Sequence, residues 1–346
     1  MKAVYFTEHG DIEKLTYGDL PDPVPGPGEV LVRVRACGLN HADRWIRQGL
    51  PMLRVPMPFT LGQDIGGEVA AVGPATDASL VGARVIVNQG VSCGRCEHCL
   101  SGRDNFCASY QLIGKNLPGG YAEYVKVPVQ NLVPLPPELS FVTAACLPAV
   151  FITTWNMIFD QAELEPGEWI LVHAGGSGVG SAAIQLARLV GANVITTAGS
   201  DEKVEKAKAL GAQHGINYKT HDFLREVRRI THKRGVDVVI EHIGEDVWER
   251  SLLCLVAGGR LVTCGATSGY MPKTNLRHVF FRNLRIMGAT GGSKAILFRI
   301  VRLVQERKIE PVLDRTLPLR NAREAHRLME ERQQFGKLVL VPEGSA

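Results

Sequence analysis

Two textures of hydrophobic patterning divide the chain. Over roughly the first 150 residues, apolar side chains come in short alternating runs: Val30-Leu31-Val32-Arg33-Val34, Gly67-Glu68-Val69-Ala70-Ala71-Val72 and Arg84-Val85-Ile86-Val87. Turn-forming clusters such as Pro21-Asp22-Pro23 and Pro25-Gly26-Pro27-Gly28 separate them. Period-two runs broken by Gly and Pro predict an irregular β-barrel-like domain. From Glu168 onward, apolar strands alternate with helical periods. The pattern predicts strand 169–173, helix 178–190, strand 193–198, helix 202–210 and a short strand near Ile216. Helix 222–230, strand 236–241, a helix near 245–255 and strand 260–264 follow. This rhythm calls for a parallel, doubly wound sheet. The tail carries amphipathic helices at 296–306 and 321–332 and ends on the apolar run Lys337-Leu338-Val339-Leu340-Val341.

A chain of 346 residues exceeds what one hydrophobic core usually serves, so two domains are expected. With 45% apolar and 21% charged residues it can build sizeable cores and has no signature of disorder. A net charge of +4 is too small for a nucleic-acid footprint. The densest basic stretch, Arg225 to Arg234, is interrupted by apolar residues at helical spacing and reads as a solvated helix face. The first residues lack a signal-peptide core, and no 18-residue apolar run is long enough for a bilayer. A cytoplasmic protein without nucleic-acid or membrane partners is therefore expected.

Four of the eight cysteines sit in fifteen residues, as Cys93, Cys96, Cys99 and Cys107, with spacing C-x2-C-x2-C-x7-C. Short intervals turn successive thiolates toward one ion. Four sulfurs close a tetrahedral shell and leave no open position, so the expectation is one structural Zn2+ rather than a catalytic one. His98, between two ligands, is expected at the surface and not in the shell.

The apolar run Trp169-Ile170-Leu171-Val172-His173 leads into Ala174-Gly175-Gly176-Ser177-Gly178-Val179-Gly180 and then a helical pattern. Small residues at 175–180 let backbone approach a pyrophosphate, which the helix N-terminal amides and dipole hold. Ser177 stands where the middle glycine of G-x-G-x-x-G belongs, but the strand–turn–helix context supports a dinucleotide site. At the end of the second strand, where an acid would bond the adenosine ribose, the chain has Ala198. Ser200 and Lys203 are placed to donate to a 2′-phosphate. NADP(H) is therefore expected over NAD(H), with Asp201 and Glu202 as the residues that keep NAD(H) open.

Together these features resemble the medium-chain dehydrogenase/reductase superfamily of zinc alcohol dehydrogenases and quinone oxidoreductases. The resemblance runs through Gly28-Glu29-Val30-Leu31-Val32, Ala36-Cys37-Gly38-Leu39-Asn40-His41-Ala42-Asp43, Leu61-Gly62-Gln63-Asp64, the cysteine lobe, Gly120-Tyr121-Ala122-Glu123-Tyr124, the 174–180 turn and Phe335-Gly336-Lys337. It implies an α/β fold. A Rossmann domain at 151–289 is inserted in a GroES-like irregular β-barrel catalytic domain at 1–150 and 290–346, with the zinc lobe at 90–108. It also implies a homodimer or homotetramer acting on a small molecule.

Carried over by position, the resemblance fails at the catalytic metal. The three ligand positions hold Asn40, Gln63 and Ala149, and the proton-relay hydroxyl is Ala42. Two amides and a methyl are no zinc shell. Cys37 and Cys146, each three residues away, are expected to be core residues. Asn40 is similar to the zinc-free quinone and enone reductase branch, as are Trp45, Tyr218 and Lys203. In that branch the last two approach the 2′-phosphate. Thr153 corresponds to the threonine beside the nicotinamide.

The expectation is NAD(P)H-dependent reduction of a quinone or α,β-unsaturated carbonyl. Asn40, Gln63 and Asp64 belong to its catalytic centre, and His41 is a proton donor or a contact to cofactor phosphate. An alcohol dehydrogenase and a non-catalytic NADPH-binding sensor are the alternatives. Trp45, Met52, Leu53 and the 267–275 loop are expected to line the substrate pocket.

Overall fold

The computed structural model describes residues 1–51 and 53–344, so Met52 lies outside the described residues. The chain forms two compact units: Met1–Ala149 with Ser293–Ala346, and Val150–Gly292.

In the first unit the organising element is the strand Glu29–Gly38. Val30, Val32, Val34 and Ala36 all point into the core at 0% exposure, the period-two burial the sequence predicts. Antiparallel to it run Asp64–Val72 on one side and Lys337–Val341 on the other. Tyr124–Pro128 also pairs with it, closing part of the barrel. The final strand thus joins the first long one, which is why the ends of the chain share one core. At the end of this pairing Gly38 lies opposite Asp64, and Val339 lies opposite Gly38. Gly38 is required there, because a Cβ would stand 2.0 Å from the carbonyl oxygen of Ala145.

The second unit is a six-stranded parallel sheet. Its strands lie in the spatial order His214–Asn217, Asn193–Ala198, Trp169–Val172, Val236–Glu241, Leu255–Thr263 and Arg285–Gly288. Numbered along the chain this is 3-2-1-4-5-6, the Rossmann arrangement, whose ligand site lies at the carboxyl ends of the strands near the order reversal. The expected strands and helices of 169–241 are all present. Three elements escaped the sequence pattern. A helix Pro148–Trp155 continues into a π-helical turn, Asn156–Gln161. A short helix, Leu276–Phe281, buries none of its residues, and the edge strand Arg285–Gly288 is largely exposed, so neither shows an apolar face in sequence. The strand expected at 260–264 begins earlier, at Leu255, through a register irregularity against Val236–Glu241.

Candidate functional site

Three segments meet where the strands of the first unit end. Asn40 is the N-cap residue of the helix His41–Gln48. Asp64, fully buried, opens the strand Asp64–Val72. Its Oδ2 accepts hydrogen bonds from Asn40 Nδ2 at 2.9 Å and from Lys337 Nζ at 2.7 Å, and its Oδ1 accepts one from the Ala149 backbone N–H at 2.6 Å. Lys337 Nζ also donates to Leu39 O at 2.5 Å and to Asn40 Oδ1 at 2.7 Å. All three ammonium donors are thereby used, and the lysine is only 4% exposed. Of the proposed catalytic residues, Asn40 and Asp64 are in direct contact, and Gln63 is buried beside Asp64.

His41 does not join this network. Its ring packs edge-on against Trp45, with 5.7 Å between centroids. Burial, then the charges of Arg44 and Arg332, push its pKa down to about 4, so it is a neutral imidazole at pH 7. Beneath Asn40 lies a second buried chain. The Asn40 backbone N–H donates to Asp43 Oδ2 at 2.9 Å, the Tyr121 hydroxyl donates to the same oxygen at 3.0 Å, and His326 Nε2 lies 3.3 Å from that hydroxyl. Burial raises the Asp43 carboxyl to about 6, restrained by the bonds from Asn40 and Tyr121. Burial, followed by the charges of Arg47 and His41, lowers His326 to about 3.

The residues at the catalytic-metal positions do not fit a zinc ion. The Asn40 oxygen is turned to an ammonium and its nitrogen to a carboxylate. Ala149 contributes only a backbone N–H, already given to Asp64. Cys37 and Cys146 are buried. Burial holds the Cys37 thiol well above its ordinary pKa and the Cys146 thiol up at about 12, against the ionisation a metal ligand needs. Lys337 is the residue that the sequence motifs passed over. Its one signal was the closing Phe335-Gly336-Lys337.

The cysteine lobe hangs from a two-stranded ribbon, Gly90–Val91 with Gln111–Leu112. The Sγ atoms of Cys93, Cys96, Cys99 and Cys107 lie within 4.8 Å of one another. Cys96 and Cys99 are 3.5 Å apart and Cys93 and Cys99 3.9 Å. Zinc–sulfur bonds of about 2.3 Å in a tetrahedron place sulfurs roughly 3.8 Å apart, so the four thiols fit Zn2+. His98 is partly buried, with its ring against Phe106 at 6.0 Å, and stands outside the cluster.

In the second unit, Trp169–Val172 runs into the glycine-rich turn and the helix Gly178–Val190. Ser177 caps that helix, its Oγ accepting from the Gly180 N–H at 2.9 Å, and also lies 3.1 Å from His242 Nε2. Its backbone is extended (φ −81°), so the turn needs no glycine there. Gly180 is different: a Cβ would meet the Ala174 carbonyl oxygen at 2.2 Å. First-turn amides reached by no intrahelical carbonyl remain at this end for a phosphate. Gly175, Gly176 and Val179 belong to the same turn, and Thr153 lies in the helix Pro148–Trp155. At the adenosine end, Ser200 caps the helix Asp201–Ala209. The Tyr218 hydroxyl oxygen lies 2.9 Å from where a Gly199 Cβ would be. Asp201 accepts from Asn217 Nδ2 at 2.9 Å, and Glu202 pairs with Lys206 at 2.6 Å.

Comparison with known proteins places this geometry. The family model "Alcohol dehydrogenase GroES-like domain" matches residues 26–137, and "Zinc-binding dehydrogenase" matches residues 178–306. A NAD-dependent alcohol dehydrogenase of Saccharolobus solfataricus is 33% identical over 99% of this chain and 100% of that protein. The synaptic vesicle membrane protein VAT-1 homolog of Rattus norvegicus is 30% identical over 99% of this chain and 84% of its own length. A solved NAD-dependent alcohol dehydrogenase superposes with a TM-score of 0.94 at 48% identity, covering 99% of both chains. The fold is that of an NAD(P)-dependent oxidoreductase. The chain belongs to the medium-chain dehydrogenase/reductase superfamily, with a Rossmann domain and a GroES-like domain. Among the described residues no helix is long and apolar enough to cross a membrane.

Proposed function

We propose that the protein uses NADPH to reduce an activated acceptor, a quinone or an α,β-unsaturated carbonyl, without a catalytic metal. One observation carries the reading: of the three positions at which a zinc alcohol dehydrogenase would hold its metal, Asn40 and Ala149 are bound to Asp64, Asn40 also to Lys337, and the third is the amide Gln63. The nicotinamide, when bound, supplies the hydride. A simple ketone then needs a Lewis acid to take up the developing charge. A conjugated acceptor spreads that charge onto oxygen, where hydrogen-bond donors suffice. Asn40, the partly exposed member of the network, is the donor proposed for that oxygen, with Gln63, which precedes Asp64 in the chain, as a second amide. Neutral at pH 7, His41 has a ring N–H to offer but no cationic acid function.

The test is a survey of NADPH and NADH oxidation across quinones, enones, enoyl thioesters and aldehydes, with metal measured on the same sample. The expected result is turnover of conjugated acceptors at one zinc per chain, undiminished by chelator treatment that leaves that zinc bound. Two zincs per chain with chelator-sensitive alcohol oxidation would restore the alcohol dehydrogenase reading, which the names of the relatives favour. Tight NADPH binding with no acceptor turned over would favour a sensor.

The preference for NADPH rests on this chain's own residues, since the two alcohol dehydrogenases named above are called NAD-dependent. Asp201 and Glu202, the acids that could bond a ribose hydroxyl, are engaged by Asn217 and Lys206. Ser200, Lys203 and Tyr218 surround the end of the strand Asn193–Ala198. Lys203→Ala is expected to raise KM for NADPH about tenfold, the value of one charge-assisted hydrogen bond, and to leave KM for NADH within twofold. Equal effects on both cofactors would remove the 2′-phosphate assignment. Exposed Leu276, Phe280 and Phe281 lie near the outer strand Arg285–Gly288 of the parallel sheet and support pairing of two copies there.

A further inference from the structure

The partners of Asn40 fix which end of its amide faces outward. Lys337 Nζ stands 2.7 Å from Oδ1, and Asp64 Oδ2 stands 2.9 Å from Nδ2. Turning the amide over would set its NH2 against an ammonium and its carbonyl oxygen against a carboxylate, two repulsive contacts in a buried setting. The orientation is thus decided by charge. Each hydrogen bond also removes one possibility. Asp64 takes one of the two Nδ2 hydrogens, so one N–H is left over, and Asn40 is the member of the group that reaches partial exposure. Leu39, Asp64 and Lys337 are all buried, at 4%, 0% and 4%.

We infer that Lys337 is a positioning residue: its ammonium holds the carbonyl end of Asn40 inward, so that Asn40 meets the substrate oxygen as a hydrogen-bond donor and never as an acceptor. This rests on the proposed reduction of a conjugated acceptor at Asn40, and it deepens that reading by assigning the polarity of the centre. The lysine does not touch substrate, because its three donors are spent on Leu39, Asn40 and Asp64. What it supplies is orientation before the reaction, the condition under which a donor stabilises a developing oxyanion most. An ammonium here does part of the work a metal would do, in that it ties the Asn40 segment to the Asp64 segment. It polarises nothing itself.

The experiment pairs kinetics with the Asn40 side-chain amide signals in protein labelled with 15N-asparagine, assigned by their absence from Asn40→Asp. In wild-type protein the two Asn40 hydrogens are expected to be well separated in shift, the one bonded to Asp64 exchanging more slowly with water. Lys337→Met should merge or broaden them and lower kcat by about 100-fold, the loss of one oxyanion donor, with KM for NADPH unchanged. Lys337→Arg, which keeps the cation, should recover most of both. Asn40→Asp keeps an oxygen for Lys337 but sets its other oxygen against Asp64 Oδ2, so it should lose kcat at least as heavily and also melt at a lower temperature. Where Lys337→Met does not fold, Asn40→Asp decides. Unchanged amide signals and kcat within twofold in Lys337→Met, or wild-type kcat in Asn40→Asp, would overturn the inference. If wild-type protein reduces no acceptor, the proposed function fails, and the amide signals still judge the role of Lys337.

Discussion

Asp64→Ala is expected to lower the unfolding free energy by about 3–5 kcal/mol, read as a lower denaturant midpoint at unchanged slope. Asp64 has no exposure and three hydrogen bonds, from Asn40, Lys337 and the Ala149 backbone. Its removal leaves the Lys337 ammonium inside the protein with two neutral acceptors and no carboxylate bonded to it. Most of the loss is the cost of that stranded cation, more than the worth of the bond itself. Two comparisons separate these. The double variant Asp64→Ala/Lys337→Met should be less destabilised than Asp64→Ala alone, since no lone charge remains. Glu343→Ala, which breaks an exposed pair with Arg320 (side chains 53% and 54% exposed), should cost almost nothing because water already screens it. An Asp64→Ala loss no larger than that of Glu343→Ala would show that the network is not buried as described.

What could be read from sequence, and what could not, follows from the range of the interactions. The strands of the parallel sheet, the turn at 174–180 and the cysteine spacing are local patterns. A period of two, a glycine run or an interval of two residues is visible without knowing the fold. Ser177 looked like a defect in the glycine motif because its compensation is partly distant. It caps its own helix, three residues away, but its other partner is His242, 65 residues on. The role of Lys337 was hidden for the same reason. A lysine in a terminal strand is ordinarily a surface residue, and its bond to Asp64 spans 273 positions. The chain from Asp43 through Tyr121 to His326 closes over separations of 78 and 205. Asn40 and Asp64 were singled out by resemblance, and their direct contact, across 24 positions, came only from the pairing of Gly38 with Asp64.

That pairing also explains why a centre without metal donors keeps its shape. In a zinc enzyme the ion cross-links segments that the sheet only brings near each other. Here the same segments are joined by side chains whose charges are already balanced, Asp64 against Lys337, with the Ala149 N–H completing the carboxylate. Loss of metal therefore acts elsewhere in the molecule, on the cysteine lobe.

Removing zinc, by chelation or by Cys96→Ala, is expected to lower the melting temperature by roughly 5–10 °C, the effect of releasing a cross-linked loop of about 15 residues in a unit of this size. Beyond the metal, the lobe is held by a few bonds, among them Lys294 N–H to Asp104 Oδ1 at 3.0 Å and Gln130 Nε2 to Ser92 O at 3.1 Å. Its apolar side chains Leu100 and Phe106 are 76% and 56% exposed, and it is anchored by a ribbon of two residues on each side. A segment with so small a core depends on its metal. The damage should stay local, because the core around Val30, Val32, Val34 and Ile65 draws nothing from the lobe cysteines Cys93, Cys96 and Cys99. Amide exchange should therefore accelerate across residues 92–110 and remain slow in the strands Glu29–Gly38 and Asp64–Val72. Metal-depleted protein with an unaltered melting temperature and a protected lobe would mean that the four cysteines hold no structural ion. A collapse of protection in the long strands would mean that the ion supports the whole barrel, and that the separation drawn here between a metal-held lobe and a charge-held centre is wrong.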